Sequence, residues 1–270
     1  MKAVFKHEAG LYSHGLLAYV FGAFLLEFIG IGAMLYNINA AVANFEYALG
    51  TFCIGFVALV PILTMRVLAE EKKQKTDQLL SLLPLSSTDI ILGKYFAMAL
   101  VFVIPMLVAC VYPLIFSMYG EVYLPTSYGA LFAFVFLGLA LIAIGMFISS
   151  LTESQGMAAG LCVVVMLFCY YSASLADYIA STAFNLAALV GIAVLVLVLC
   201  LAAVGVVWLV SPDSLATLLP DLMSRLSLFE RFYTFVNGVF DVTAIVYYLS
   251  VAAFFLFLCV QSWEKKRYNG

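Results

Sequence analysis

Seven stretches of the sequence, at roughly 16–36, 50–68, 91–119, 128–149, 156–176, 183–210 and 242–262, run for about the length of a bilayer crossing with scarcely a charge in them. A helix needs roughly 20 apolar residues to traverse the hydrocarbon core. Backbone N–H and C=O groups find no partner in lipid, so each stretch is expected to be helical and no strand is expected. Composition agrees: 66% of the 270 residues are hydrophobic, 10% are charged, and the mean hydropathy is +1.14. Soluble domains run near 45–50% apolar and about 25% charged, so one soluble core cannot hide this surplus. No basic stripe with interleaved aromatics occurs, which speaks against a nucleic-acid ligand.

The few charges set the topology. Lys2 and Lys6 precede the first stretch; Arg66, Lys72, Lys73, Lys75 and Lys94 cluster between the second and third; Lys265, Lys266 and Arg267 follow the last. The outer connections around 37–50 and 120–127 carry only Glu46 and Glu121. The excess of Lys and Arg places both termini and the 69–90 loop in the cytoplasm. The first apolar run is too long for a signal-peptide core and is expected to stay as an anchor. Two cytoplasmic ends demand an even number of crossings, yet seven stretches are present. The uncharged 183–210, with Gly191 and Gly205, is the candidate for a re-entrant hairpin; in the competing arrangement it spans and a neighbouring stretch fails to cross. Beyond it, 213–241 places Leu218, Leu219, Leu222, Leu226, Phe229, Phe232 and Phe235 at helical spacing among charges. That pattern fits an amphipathic outer segment broken at Pro212 and Pro220. Lys2–His14 is expected to lie similarly on the inner surface.

Few residues carry chemistry of their own. The six cysteines lie singly in apolar runs, as small packing residues do. His7 and His14 have no ligand cluster beside them, so no metal and no cofactor is expected. No GxxxxGK[ST] phosphate loop occurs, so ATP, if used, must bind a separate subunit. Glu27 stands in the middle of the first membrane stretch. Such a carboxylate is costly and a functional candidate: it lines a substrate path, pairs with a partner helix, or is packed in protonated form. Tyr170, Tyr171, Tyr247 and Tyr248 mark interfaces or packing, or line an amphiphile path.

Most polar information sits in Arg66–Lys94. Glu71 and Lys75 stand four apart, a spacing that supports a helix. Leu79, Leu80, Leu82 and Leu83 follow, and Pro84 ends the helical run. Ser86 and Asp89 form a capping box for the next membrane helix. A charged loop that merely holds topology is one reading. Leucines on a cytoplasmic loop form an apolar patch, which marks a partner, and that is the other.

The run PILTMRVLAEEKKQKTDQLL from Pro61 to Leu80, with Pro84-Leu85-Ser86 and Leu92-Gly93-Lys94, resembles permease subunits of type-2 ABC exporters, closest to the gliding-motility-related branch. Ile144–Gln155, Leu228–Phe232 with Gly238 and Asp241, and Tyr247–Ser250 running to Arg267 agree in order and spacing. The stretch 183–210 exceeds the simplest six-helix pattern of that family. The resemblance implies a six-crossing, all-α polytopic helix bundle forming one permease domain over 1–270. It also implies a pathway shared with a second permease, alike or different, and separate nucleotide-binding ATPase subunits. The coupling segment lies in 69–90, with Glu70, Glu71, Lys72, Lys73, Thr76, Asp77, Leu79, Leu80, Leu83 and Pro84 as the candidates that dock on the ATPase. Export across a bacterial cytoplasmic membrane follows from the same likeness.

Two rivals remain at this point. A secondary transporter or channel usually shows several intramembrane ionisable groups or inverted repeats, and Glu27 is nearly alone. An intramembrane enzyme needs a nucleophile with its base, or a metal cluster, within the bilayer, and both histidines are N-terminal. The topology is tested in a cysteine-free variant carrying single cysteines at Lys73 or Lys266. In intact cells an impermeant thiol reagent should leave both unlabelled; labelling of either overturns the even-crossing arrangement.

Overall fold

The computed structural model describes residues 1–40, 42, 44–75, 86–182 and 227–269. Among them every regular element is helical, as a chain solvated by lipid requires. We label them α1 (Lys2–His14), α2 (Leu16–Ala33, continued by a π-helical turn Met34–Asn39), α3 (Glu46–Phe52), α4 (Gly55–Thr64), α5 (Ala69–Gln74), α6 (Ser87–Ala109), α7 (Val111–Ser117), α8 (Leu124–Leu151), α9 (Gln155–Thr182), α10 (Leu228–Val236) and α11 (Val242–Asn269). Among the described residues five spans are long and apolar enough to cross a membrane, and the bent pair formed by α3 and the α4–α5 run makes up to six. The stretch 183–210 lies outside the described residues, as does 213–226.

The chain forms two compact units, Met1–Leu167 with Arg231–Gly270, and Phe168–Glu230. In the first, α8 is the hub: it packs against α3, α4, α5, α6, α7 and α11. Its most apolar eighteen residues are 72% buried, against 22–33% in the other long spans. Small residues such as Ala133, Gly138, Ala140, Ala143 and Gly145 let its neighbours come close. Around Phe134 of α8 gathers an aromatic core, with Phe56 at 4.7 Å, Phe52 at 5.4 Å and Phe232 at 5.6 Å between ring centroids. Aromatic pairs in such tilted and edge-on arrangements add to the attraction of simple area burial. In the second unit, Tyr170 stands edge-on to Phe229 at 5.3 Å, and the Ser227 hydroxyl accepts the Glu230 N–H at 3.2 Å, capping α10.

Local signals account for several boundaries. The Ser86 hydroxyl accepts the Asp89 N–H at 3.2 Å and starts α6, as the capping box predicts. The 50–68 stretch, expected as one helix, is broken instead: its two parts meet at 62°. At the break the backbone tightens into i to i+3 bonds, Cys53 N–H to Gly50 O, Phe56 N–H to Cys53 O and Val57 N–H to Ile54 O. These keep the peptide groups satisfied while the axis turns. Glu46, expected in an outer loop, is buried at the start of α3 and accepts the Ser127 hydroxyl of α8 at 2.9 Å. Of the amphipathic segment 213–241, the described part is helical over α10 alone. Leu228, Phe229, Phe232, Phe235 and Val236 are its buried positions and Glu230 is exposed. Asp241 then caps α11 through the Thr243 N–H at 2.8 Å.

Helices α2 and α3 touch backbone to backbone at Gly32. A Cβ there would lie 2.8 Å from the Ala48 carbonyl oxygen, which cannot rotate away. Gly32→Ala should therefore cost about 1–3 kcal/mol, the range for overpacking, and Gly32→Val more. The thermal midpoint of the purified protein, read by fluorescence, should fall in that order.

Candidate coupling site at the inner end of the bundle

On the side of the bundle that carries Lys72, Lys73 and Lys75, α1, α5, α6 and α8 meet around one ammonium group. Lys94 enters α6 two turns after its cap, about 10 Å along the axis. It is 2% exposed, and a lone ammonium at such a place is prohibitively costly. Two carboxylates answer it: Glu8 of α1 and Glu71 of α5, each with an oxygen 2.6 Å from Nζ. Gly93 makes the approach possible, because a Cβ there would stand 3.0 Å from the Val4 side chain and 3.2 Å from the Phe5 nitrogen of α1. One turn beyond Glu8, burial and then the charges of Glu8 and Glu71 push the Tyr12 phenol above its ordinary range. That hydroxyl stays neutral beside the clamp.

Helix α5 is held a second time, by the end of α8. Leu68 occupies its N-cap and has no side-chain acceptor to offer. Ser149 supplies one from α8: its hydroxyl accepts the N–H groups of Leu68 at 3.3 Å and Ala69 at 3.2 Å, and donates to the Met65 carbonyl at 3.4 Å. Two helix-start donors are thereby satisfied by a residue some 80 positions away. The Lys72 ammonium donates to the Ser150 carbonyl, at the C-terminal end of α8 where carbonyl dipoles favour a cation. The outer flank of α5 carries Arg66 and Glu70 as a two-pronged pair, at 2.8 and 3.1 Å, with Gln74 donating to Glu70 at 3.2 Å. Being half in water, that pair adds at most about 1 kcal/mol.

The candidate residues therefore divide. Glu71 and Lys72 turn inward and hold α5 to the bundle; Glu71, expected from spacing to support Lys75, reaches Lys94 of another helix. Glu70 lies on the flank with Arg66, and Lys73 is exposed beside Gln74 and Lys75. The chain leaves α5 through Lys75 in the left-handed conformation. Thr76, Asp77, Leu79, Leu80, Leu83 and Pro84 lie outside the described residues. Sequence reasoning missed Glu8, Ser149 and Ser150, and it read Lys94 only as one of the basic loop residues. A lysine among the first residues of an apolar run was the signal for that last one, because such a group needs an anionic partner. Glu27 lies elsewhere, about 16 Å along α2 from its inner end, on an exposed face.

Lys94→Met should leave two partly buried carboxylates facing each other. Breaking a buried pair from one side costs about 3–5 kcal/mol, and the thermal midpoint should drop accordingly. Adding Glu8→Gln and Glu71→Gln to Lys94→Met should recover part of the loss, since no uncompensated charge then remains. Equal melting of the single and triple variants would mean that the clamp is electrostatically idle.

Comparison with known proteins supplies the context for this arrangement. No curated protein matches the chain. Residues 17–212 match the family model described as ABC-2 family transporter protein, which takes in the broken α3–α4 span, α5, the Lys94 helix and the α8 hub. That match covers well over half of the 270 residues, and the bundle of apolar crossings is what such a family requires. The chain is a multi-pass membrane protein that belongs to the ABC-2 family of transporters, as a transport permease rather than a catalytic subunit.

Proposed function

We propose that this permease is driven by a separate ATPase subunit that docks on α5 and the leucine-rich segment after it. The observation that carries the reading is the two-sided build of α5. One side is bound to two membrane helices, to α6 through Glu71–Lys94 and to α8 through Lys72–Ser150 and Ser149, and the other leaves Lys73 exposed. A helix with such attachments transmits a push instead of absorbing it. ATP would be bound and hydrolysed by the partner, because this chain has no phosphate loop.

Two such permeases, alike or different, would pair above two ATPase subunits, and closure of those subunits would switch the pathway from inward to outward access. Substrate would leave the cell, as an amphiphile or peptide. Glu27 is our candidate for the pathway wall: an intramembrane carboxylate on an exposed helix face needs something other than lipid beside it.

The test separates docking from folding. Lys73→Glu combined with Leu79→Ser and Leu80→Ser leaves the residues of the Lys94 clamp and the Ser149 cap unaltered. It should weaken co-purification of the ATPase roughly tenfold or more, the effect of losing a central interface anchor, while the thermal midpoint stays put. Glu230→Lys, in the outer segment, should leave association unchanged. Native association and native transport in the triple variant would reduce α5 and its continuation to a topological tether.

A further inference from the structure

Helix α2 shows two unlike faces. Phe21, Leu25 and Ile29 are buried against the bundle, whereas Ala23, Phe24, Glu27, Phe28 and Ile31 are exposed along one stripe. Glu27 is the sole acidic or basic side chain of this helix, and it sits near mid-depth of a core about 30 Å thick. The phenyl rings of Phe24 and Phe28 stand within one turn of it, and Phe28 is steadied edge-on by Phe52 of the bent span at 5.8 Å. Lipid cannot satisfy the carboxylate, so whatever covers this face must.

The charge pattern narrows the occupant. Among the described residues, Lys94 is the cation buried near one end of the membrane spans, and it is spent on Glu8 and Glu71. Arg66 lies at the inner margin, paired with Glu70. A second copy of the chain, docked face to face, would bring another Glu27 and repulsion instead of a counter-charge. The complement to one carboxylate flanked by two aromatic rings on an apolar stripe is a single cation carried on an apolar body. The carboxylate takes the charge, the ring faces take the cation's flanks, and the stripe takes the hydrocarbon.

We propose that the Glu27 face of α2 is a recognition site for cationic amphiphiles on the translocation pathway. The inference rests on the permease reading above and names its substrate class. It also assigns Glu27, Phe24 and Phe28 distinct roles: charge partner for the first, cation-facing rings for the other two.

Binding to the full chain in lipid nanodiscs, without any ATPase, tests it, with uptake by empty discs subtracted. Three probes separate charge from hydrophobicity: tetraphenylphosphonium, tetraphenylborate of nearly the same shape and opposite charge, and tetramethylammonium with no apolar body. The phosphonium should bind, and the borate and the small ammonium should not. Glu27→Gln should weaken phosphonium binding roughly tenfold or more, Glu27→Asp should retain most of it, and Phe24→Ala should fall between. Equal binding of phosphonium and borate overturns the site, as does a Glu27→Gln variant that binds like the parent. A Glu27→Gln variant that keeps phosphonium binding but changes the oligomeric state makes this face a contact between copies, and the proposal falls. The outcome is independent of coupling. A chain that recruits its ATPase yet binds no phosphonium loses the site and keeps the permease reading. One that binds through Glu27 and recruits none keeps the site and loses the coupling.

Discussion

A peptide group in hydrocarbon has nothing to bond to but another peptide group or a side chain, and the departures from straight helix in this chain are built around that deficit. The turn between α3 and α4 bends the span by 62°, yet its N–H groups reach back three residues to carbonyls of the same segment. Cys53 and Gly55, on either side of the bend, are buried by the protein, and between them Ile54 turns only an apolar side chain outward. Irregular backbone at membrane depth is tolerated only under such cover. At the outer end of the same segment Glu46 is likewise enclosed and bonded to Ser127. Where the apolar solvent cannot satisfy a group, a neighbouring helix does.

The rule bears hardest on charge. An ammonium at the position of Lys94 costs several kcal/mol to desolvate, and two carboxylates offset that cost without necessarily adding net stability. What the cluster secures is specificity. A buried cation with two anionic partners on separate elements accepts one register of α1 against α6 and one placement of α5. Apolar contacts alone would tolerate sliding of both. Ser149 acts in the same sense with neutral groups, since the start of α5 is satisfied only where the end of α8 stands.

How much of this was legible in the sequence follows from the range of each signal. The apolar runs fix the helices because their cause is the solvent and acts on every residue alike. The α6 cap was legible because Ser86 and Asp89 are three apart and their bond is local. The break after Phe52 was not, although Gly50 and Gly55 flank it, because glycines are also common in straight membrane helices, where they serve close packing. Glu46 read as a loop residue because its partner Ser127 lies 81 positions on. The Lys94 cluster escaped for the same reason: Glu8 is 86 positions away and Glu71 is 23. Spacing rules within one helix could offer Glu71 only Lys75. The candidate docking residues were named as one group because sequence gives no inside or outside to a six-residue helix; burial of Lys72 beside exposure of Lys73 does.

The clamp also limits which motions are open to the inner end of the bundle. Sliding α5 by itself would part Glu71 from Lys94, Lys72 from Ser150, and two backbone N–H groups from Ser149. Breaking the ion pair alone costs about 3–5 kcal/mol, and each orphaned buried hydrogen bond adds about 1–3 kcal/mol. Moving α5 together with α1 and the adjoining ends of α6 and α8 keeps every one of these contacts, and its cost falls largely on the apolar surfaces those helices share with the rest of the bundle. Any displacement imposed on α5 therefore passes to α6 and α8 before it is dissipated locally. Helix α6 packs in turn on α2, so the route from α5 to the helix that carries Glu27 runs through packed helices along its length.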